Sequence, residues 1–260
     1  MRKLLAADFA QLLRDKVFWA AFAFMIVSTA ILVVSTHNMI ALDNYAPGTW
    51  TAETSMFCML PSVGIVNAIW LHLFIGSDYD QGTIRNKFIC GHTRRAIFFS
   101  HWLIASAGAL IILAASLVLG TVLSAHYFQT FALDVSNLCW LFLSCAMLTV
   151  AYAAINVALA MNISHKASSV VCGMIVMLVL SIAASIIDSI ITDITVYGKA
   201  VSPLTEKLVF FFYDFLPSGQ CVQVNNMMFE RADLWPLYSL ILIVLVTAAG
   251  FLLFKRKDIK

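Results

Sequence analysis

The sequence predicts an all-α integral membrane protein with six transmembrane helices, from its composition, its apolar runs and its charge distribution. Of its 260 residues, 62% are hydrophobic and only 12% are charged, and the mean hydropathy is +0.91. This composition leaves too little polar surface to cover a soluble globule. We therefore predict a single membrane domain over residues 1–260, with both termini cytoplasmic and an amphipathic interfacial helix before the first span.

Residues 1–16 carry the predicted interfacial helix. Their apolar side chains recur at helical spacing, opposite Asp8, Gln11 and Asp15, which is typical of a helix lying along the inner leaflet. A signal peptide is the alternative interpretation. The long polar lead and the lack of a small-x-small cleavage site favour an uncleaved anchor instead.

Six apolar runs each approach the ~20 residues that cross a bilayer as a helix. The predicted spans are residues 17–35, 56–76, 96–123, 135–161, 170–187 and 236–254.

The predicted external loops differ in length. The loop after the first span contains no Lys or Arg, and its Pro47-Gly48 pair predicts a turn. A short loop is predicted near residues 124–134. Residues 188–235 are predicted to form an irregular, net-acidic external region. Within it the apolar run LVFFFYDFLPSGQ is too short and too interrupted to span, so a re-entrant or interfacial element is predicted there.

Basic residues indicate the orientation of these spans. Six spans place both termini on the same side, together with thirteen of the 16 Lys and Arg residues. Because cytoplasmic loops of membrane proteins are enriched in Lys and Arg, that side is predicted to be cytoplasmic.

The sequence lacks three common motifs for nucleotide binding and catalysis. It contains no GxxxxGK[ST], HExxH or GxSxG motif, so we expect a chain that is not an enzyme and that holds no cofactor or metal of its own. The six cysteines show no metal-ligand spacing and are predicted to be small packing residues. His72 and His101 could meet across the second and third spans, although separate core positions are favoured.

Polar residues within the spans are few. Asn67 and Asn156 are the clearest, and each is either a substrate-path residue or a group that bonds across a helix interface. No Asp, Glu, Lys or Arg falls in the middle of a predicted span, which disfavours a proton-coupled pump.

The longest hydrophilic segment between two apolar runs is SDYDQGTIRNKFICGHTRR, residues 77–95. Ser77 and Asp80 have the spacing of a capping box, and Gly82 interrupts any helix that continues past them. A short amphipathic helix is predicted from Thr83 to Cys90, with Gly91 ending it.

The faces of this predicted helix differ in character. Ile84 and Phe88 share one face, and Arg85, Asn86 and Lys87 point elsewhere. Beyond the helix, Thr93 is predicted to cap the third span, and Arg94 and Arg95 to anchor it at the headgroups. A basic loop that only fixes topology remains the alternative for the whole stretch.

The run DYDQGTIRNKFICGHTRRAIFFSHWL resembles the first cytoplasmic loop of ATP-binding cassette transporter permeases of the type-2 exporter family. In that family an acidic residue and G-T-[IL]-R precede the third membrane helix. The leading LLAADFAQLLRDKVFW and the late FLPSGQ are also similar to that family.

The resemblance implies a permease subunit that pairs with a second copy or a similar permease and docks a separate cassette ATPase, which would bind ATP and Mg. It also implies a bacterial plasma membrane, contact with membrane lipid, no nucleic acid, and a substrate path at the interface of the two permeases, along the first, second and fifth spans. The implied ATPase-coupling residues are Asp80, Gly82, Thr83, Ile84, Arg85, Asn86, Lys87 and Phe88.

Two other functional classes remain open at this point. One is a membrane partner that transports nothing, such as a sensory or immunity protein. The other is an intramembrane enzyme, which the missing motifs disfavour. Lipids, antimicrobial peptides, drugs and polyketides fit the apolar path equally well as substrates.

Overall fold

A computed structural model describes residues 2–42, 52–128, 133–199, 201–228 and 232–257, and within these ranges the chain is all-helical. Six candidate spans are long and apolar enough to cross a membrane, which indicates a multi-pass membrane protein as the sequence predicts. The long helices are α2 (Lys16–Leu42), α4 (Val63–Asp80), α6 (Arg94–Phe128), α7 (Val135–Asn162), α8 (Lys166–Thr195) and α11 (Trp235–Arg256). The shorter helices are α1 (Arg2–Arg14), α3 (Ala52–Met56), α5 (Thr83–Ile89), α9 (Pro203–Phe215) and α10 (Pro217–Asn225).

Several helices extend beyond the predicted spans. The predicted loop at residues 124–134 begins later than expected, because α6 continues to Phe128. The prediction of an irregular region over residues 188–235 is wrong, since α8 runs on to Thr195 and both α9 and α10 follow it. Hydropathy marks only the apolar part of a helix, whereas backbone hydrogen bonding continues into polar residues. The predicted Pro47-Gly48 turn lies outside the described residues.

Close helix contacts depend on glycine. A Cβ atom at Gly108 would lie 2.7 Å from the Trp70 ring, and one at Gly250 would lie 2.5 Å from the Cβ of Ala158. These glycines let α6 approach α4 and let α11 approach α7, as small residues do between membrane helices. The resulting core includes the fully buried Trp70 and is centred on α4, α6 and α7.

The helices assemble into a bundle with two distinct ends. At the end that we call the α5 end, the last turns of α4 and α7 meet the first turns of α6 and α8. There the Tyr79 hydroxyl donates to the Met161 carbonyl. At the other end, the α9–α10 end, the Trp140 indole of α7 donates to the Ala232 carbonyl before α11, at 3.0 Å. The short helices thus extend the bundle at each end.

The cysteines lie in unlike environments. Cys145 and Cys221 are buried, as predicted for packing residues, but Cys90 and Cys139 are exposed. The packing prediction is therefore wrong for those two: Cys90 directly follows α5, and Cys139 lies on an exposed face of α7.

Candidate functional site

The helix predicted between the second and third spans is confirmed as α5, Thr83–Ile89. Gly82 and Gly91 flank it with φ angles of 67° and 82°, a left-handed backbone that glycine adopts without strain. The Gly91 N–H donates to the Phe88 carbonyl at 2.9 Å, which closes the last turn. Two glycines therefore set a separate short helix at an angle to its long neighbours.

The two faces of α5 differ sharply. Ile84 is buried and Phe88 packs against the core, as the i and i+4 spacing predicts. Arg85 and Asn86 are exposed, and Ile89 is 74% exposed. The outward face of α5 therefore combines a cation, an amide and a large apolar side chain.

Asp80 and Thr83 flank this face. Asp80 is exposed at the last residue of α4, and Thr83 is half-buried at the first residue of α5. All the coupling residues taken from the family resemblance thus lie on α5 or within three positions of it. They do not all point outward.

Lys87 points into the bundle, so the expectation that it faces away from the core with Arg85 is wrong. Its ammonium Nζ lies 2.9 Å from Asp8 Oδ1 and 3.2 Å from Asp78 Oδ2. The side chain of Lys87 is only 10% exposed, and those of Asp8 and Asp78 are 3% and 1% exposed. Lys87 therefore turns into the bundle, where the two carboxylates compensate its charge.

His101 of α6 completes a group that we call the charged cluster: Asp8, Asp78, Lys87 and His101. Its Nε2 lies 2.9 Å from Asp78 Oδ2, and its Nδ1 lies 2.8 Å from the Ile97 carbonyl oxygen. A carbonyl only accepts, so Nδ1 is the donor in that bond. Lys87 Nζ lies 3.5 Å from His101 Nε2, so all four side chains of the charged cluster meet at one point.

Neutral side chains satisfy the remaining oxygens of the charged cluster. The Gln11 amide donates to Asp78 Oδ1 at 2.6 Å, and the Ser100 hydroxyl donates to Asp8 Oδ2. The charged cluster thus joins α1, α4, α5 and α6 at one point. This network also overturns two predictions from the sequence: Asp8 and Gln11 face the bundle, and Ser77 caps no helix, since its hydroxyl donates to Phe74 within α4.

A second network lies one residue further along α4. The Tyr79 hydroxyl donates to the Met161 carbonyl of α7 and accepts from Lys257 Nζ at 3.0 Å. Lys257 also donates to the Met161 carbonyl at 3.0 Å and lies 4.1 Å from the centre of the Tyr79 ring. Partial burial lowers the pKa of Lys257 to about 8, because desolvation disfavours the ammonium.

Arg94 also binds the end of α11. Its guanidinium donates to the carbonyls of Phe254, at 3.1 Å, and of Lys255 and Lys257. Cations favour a helix C-terminus, where carbonyls lack intrahelical partners. The expectation that Arg94 anchors at the headgroups is therefore wrong, while Arg95 beside it is exposed.

The α9–α10 end has a polar network of another kind. The Tyr213 hydroxyl and the Asn226 amide donate to Asp188 of α8, and burial, followed by the Asp188 carboxylate, raises the pKa of Tyr213 well above its usual range. The Gln223 amide donates to Asp214 Oδ1 at 3.2 Å, and the Ser239 hydroxyl donates to Gln220 at 3.0 Å. Hydroxyl and amide donors hold this end.

The two predicted path residues make separate hydrogen bonds in the core. Asn67 accepts from the Trp70 indole at 2.9 Å, and Asn156 donates to the Tyr152 carbonyl of its own helix at 2.9 Å. Both side chains are buried in the isolated chain, so neither faces an open path here.

His72 and His101 do not share partners. His72 Nδ1 lies 2.7 Å from the Ser169 hydroxyl of α8, whereas His101 binds Asp78. A Cβ at Gly173 would lie 2.3 Å from the His72 ring, so this glycine provides the space that His72 fills.

Protein-family models give no match to this chain, and curated proteins give no matching relative. Sequence reasoning missed Asp8, Asp78, Tyr79 and Lys257. The available signals were a histidine inside the third span and a carboxylate at the end of the second, which together favour an ion pair between neighbouring helices.

Proposed function

We propose that this chain is the membrane-spanning permease subunit of an ATP-driven exporter, which forms the substrate path and couples it to a separate ATPase subunit. The observation that carries the proposal is α5. It is a short helix between two spans, with an exposed outward face at Arg85 and Asn86 and an inward cation, Lys87, bonded to α1 and α4. Movement of the ATPase against this outward face would be transmitted to the spans through the bonds of Lys87.

The proposed orientation puts the α5 end in the cytoplasm, where the ATPase would bind ATP and Mg. The basic residues counted above favour it, because Lys and Arg are enriched on the cytoplasmic side. The exposed Phe9 and Leu13 of α1 would then lie in the inner leaflet, as in an interfacial helix. The α9–α10 end would form an external gate.

The proposed assembly is a pair of permeases with the substrate path between them. The first and fifth spans, α2 and α8, have most of their apolar surface unburied in the single chain, which leaves room for lipid and for a second copy or a similar permease. In this proposal Asn67 and Asn156 of the core become accessible when α4 moves relative to its neighbours.

Purification of the chain from its native membrane tests the proposal. We expect co-purification of a protein that carries a GxxxxGK[ST] motif, and ATP hydrolysis by the complex. Arg85→Glu should lower recovery of that protein by about tenfold, equivalent to ~1.4 kcal/mol of binding free energy, because the reversal meets the partner's surface. Mass spectrometry and ATPase assays measure both outcomes.

The matched control is Lys207→Glu, the same charge reversal at an exposed residue of α9 at the opposite end. It should leave recovery unchanged. A chain that co-purifies with no ATP-hydrolysing protein would instead favour the non-transporting partner, and equal recovery with Arg85→Glu would remove α5 as the docking element.

A further inference from the structure

The last turn of α4 presents two adjacent polar residues to opposite sides of the bundle. Asp78 bonds to Gln11 of α1, Lys87 of α5 and His101 of α6. Tyr79 bonds to the Met161 carbonyl of α7 and to Lys257 just after α11. One turn of one helix therefore holds both the short helix α5 and the far side of the bundle.

The bond between α5 and this turn resists separation. Lys87 is largely buried against Asp78 and Asp8, so drawing α5 away would leave uncompensated charges in a medium of low dielectric constant. The outward side chains Arg85 and Asn86 are solvated, and their displacement carries no such penalty. Movement of α5 relative to α4 is therefore opposed mainly at Lys87.

Helix α8 is attached to α4 by residues that precede this turn. The first turn of α8 packs the aliphatic stem of Lys166 against Gly76, and its Ser169 hydroxyl lies 2.7 Å from His72 Nδ1 of α4. The bonds of Asp78 and Tyr79 run instead to the other helices named above.

We propose that Lys87, Asp78 and Tyr79 form a positioning relay that makes α5, α4, α7 and α11 move as one unit. The role of the relay in transport rests on the proposed function, since the relay would transmit the movement of the ATPase from α5 to these spans. Its rigidity is a property of the isolated chain.

Spin labels on the purified chain in nanodiscs test that rigidity without any ATPase. One label is placed on the native, exposed Cys90 and the other on Arg256→Cys in α11, in a background with Cys58→Ala, Cys139→Ser and Cys172→Ala. Cys145 and Cys221 are buried. Double electron–electron resonance then gives the distribution of distances across the whole relay.

We expect a narrow distribution in the parent chain. Lys87→Met and Tyr79→Phe should each broaden it by about the rise of one helical residue, ~1.5 Å, or more, because each variant removes one bond of the relay. Lys87→Arg, which keeps the cation, should stay close to the parent width. Arg85→Met removes a cation from the outward face of the same helix and is the matched control that should change nothing.

Equal widths in the parent, Lys87→Met and Tyr79→Phe would overturn the relay, as would equal broadening with Arg85→Met. Tyr79→Phe removes one oxygen atom, so it keeps the test decisive even if Lys87→Met does not fold.

The partner complex separates this inference from the proposed function. With ATP and vanadate, Cys90 and Arg256→Cys should keep their distance in the parent, and the distance should change in Tyr79→Phe. If no ATPase partner exists, the proposed function fails, and the widths in nanodiscs still decide the relay. If the ATPase binds and the Cys90 to Arg256→Cys distance changes in the parent, the relay fails and the function stands.

Discussion

The two ends of the bundle are both polar, yet they are built from different groups. At the α5 end, Lys87 lies between the carboxylates of Asp8 and Asp78, and His101 contacts Asp78, so ionisable groups join four helices. At the α9–α10 end, the carboxylate of Asp188 accepts from a tyrosine hydroxyl and an asparagine amide. Charge pairing makes the stability of the α5 end sensitive to the loss of a single charge, whereas the stability of the α9–α10 end depends on close packing.

The largest expected effect follows from this charge pairing. Lys87→Met should lower the stability of the chain by about 3–5 kcal/mol, because it leaves a buried carboxylate without its partner. The double variant Asp8→Asn with Lys87→Met removes one charge of each sign and should recover most of that loss. Thermal unfolding in detergent measures all three chains.

The single variant Asp8→Asn removes one of the two carboxylates that compensate Lys87. It should be destabilising, but less so than Lys87→Met, because Lys87 Nζ loses its contact with Asp8 and keeps the one with Asp78. The exposed Arg85→Met should change stability by no more than ~0.5 kcal/mol, and a loss equal to that of Lys87→Met would contradict the comparison.

A smaller effect is expected where the α9–α10 end is tightly fitted. A Cβ at Gly219 would lie 2.2 Å from the Tyr213 carbonyl oxygen. Because this neighbour is backbone, Gly219→Ala must displace α10 from α9, which should cost about 1–3 kcal/mol. The same unfolding measurement applies.

Ser202→Ala is the control for that end. Ser202 is exposed before α9, and its side chain makes no capping hydrogen bond, so the unfolding midpoint should not move. A Gly219→Ala chain as stable as the parent would show that the fit around α10 is looser than these contacts indicate.

The predictability of these two ends from the sequence differs for a physical reason. Long apolar helices and the short α5 follow from local signals, namely hydropathy and the flanking Gly82 and Gly91. Two further signals were present but not used: Pro203 and Pro217 each occupy the first residue of a helix, α9 and α10, a position that proline favours. Much of the fold can therefore be predicted from local features of the sequence.

The Asp8–Lys87 pair of the charged cluster could not be predicted in this way. Asp8 and Lys87 lie in amphipathic segments, where a helical wheel assigns charges to the solvated face. Their burial depends on the rotation of α1 and α5 against α4 and α6, and Asp8 is far from Lys87 in the sequence. Only tertiary packing brings these opposite charges together, so neither composition nor residue spacing predicts the contact between Asp8 and Lys87.

Lys257 differs from Lys87 within the α5 end, because its hydrogen bonds go to a hydroxyl and a carbonyl. Burial lowers its pKa to about 8, so the amine loses its proton as the pH rises through 8 and then reacts with acetic anhydride. We expect half-maximal acetylation near pH 8 by mass spectrometry, and a value near ~10.4 for the same residue in urea. A folded-state value near that of the unfolded chain would show that the ammonium of Lys257 stays solvated, and the two lysines of the α5 end would then differ only in their hydrogen-bond partners.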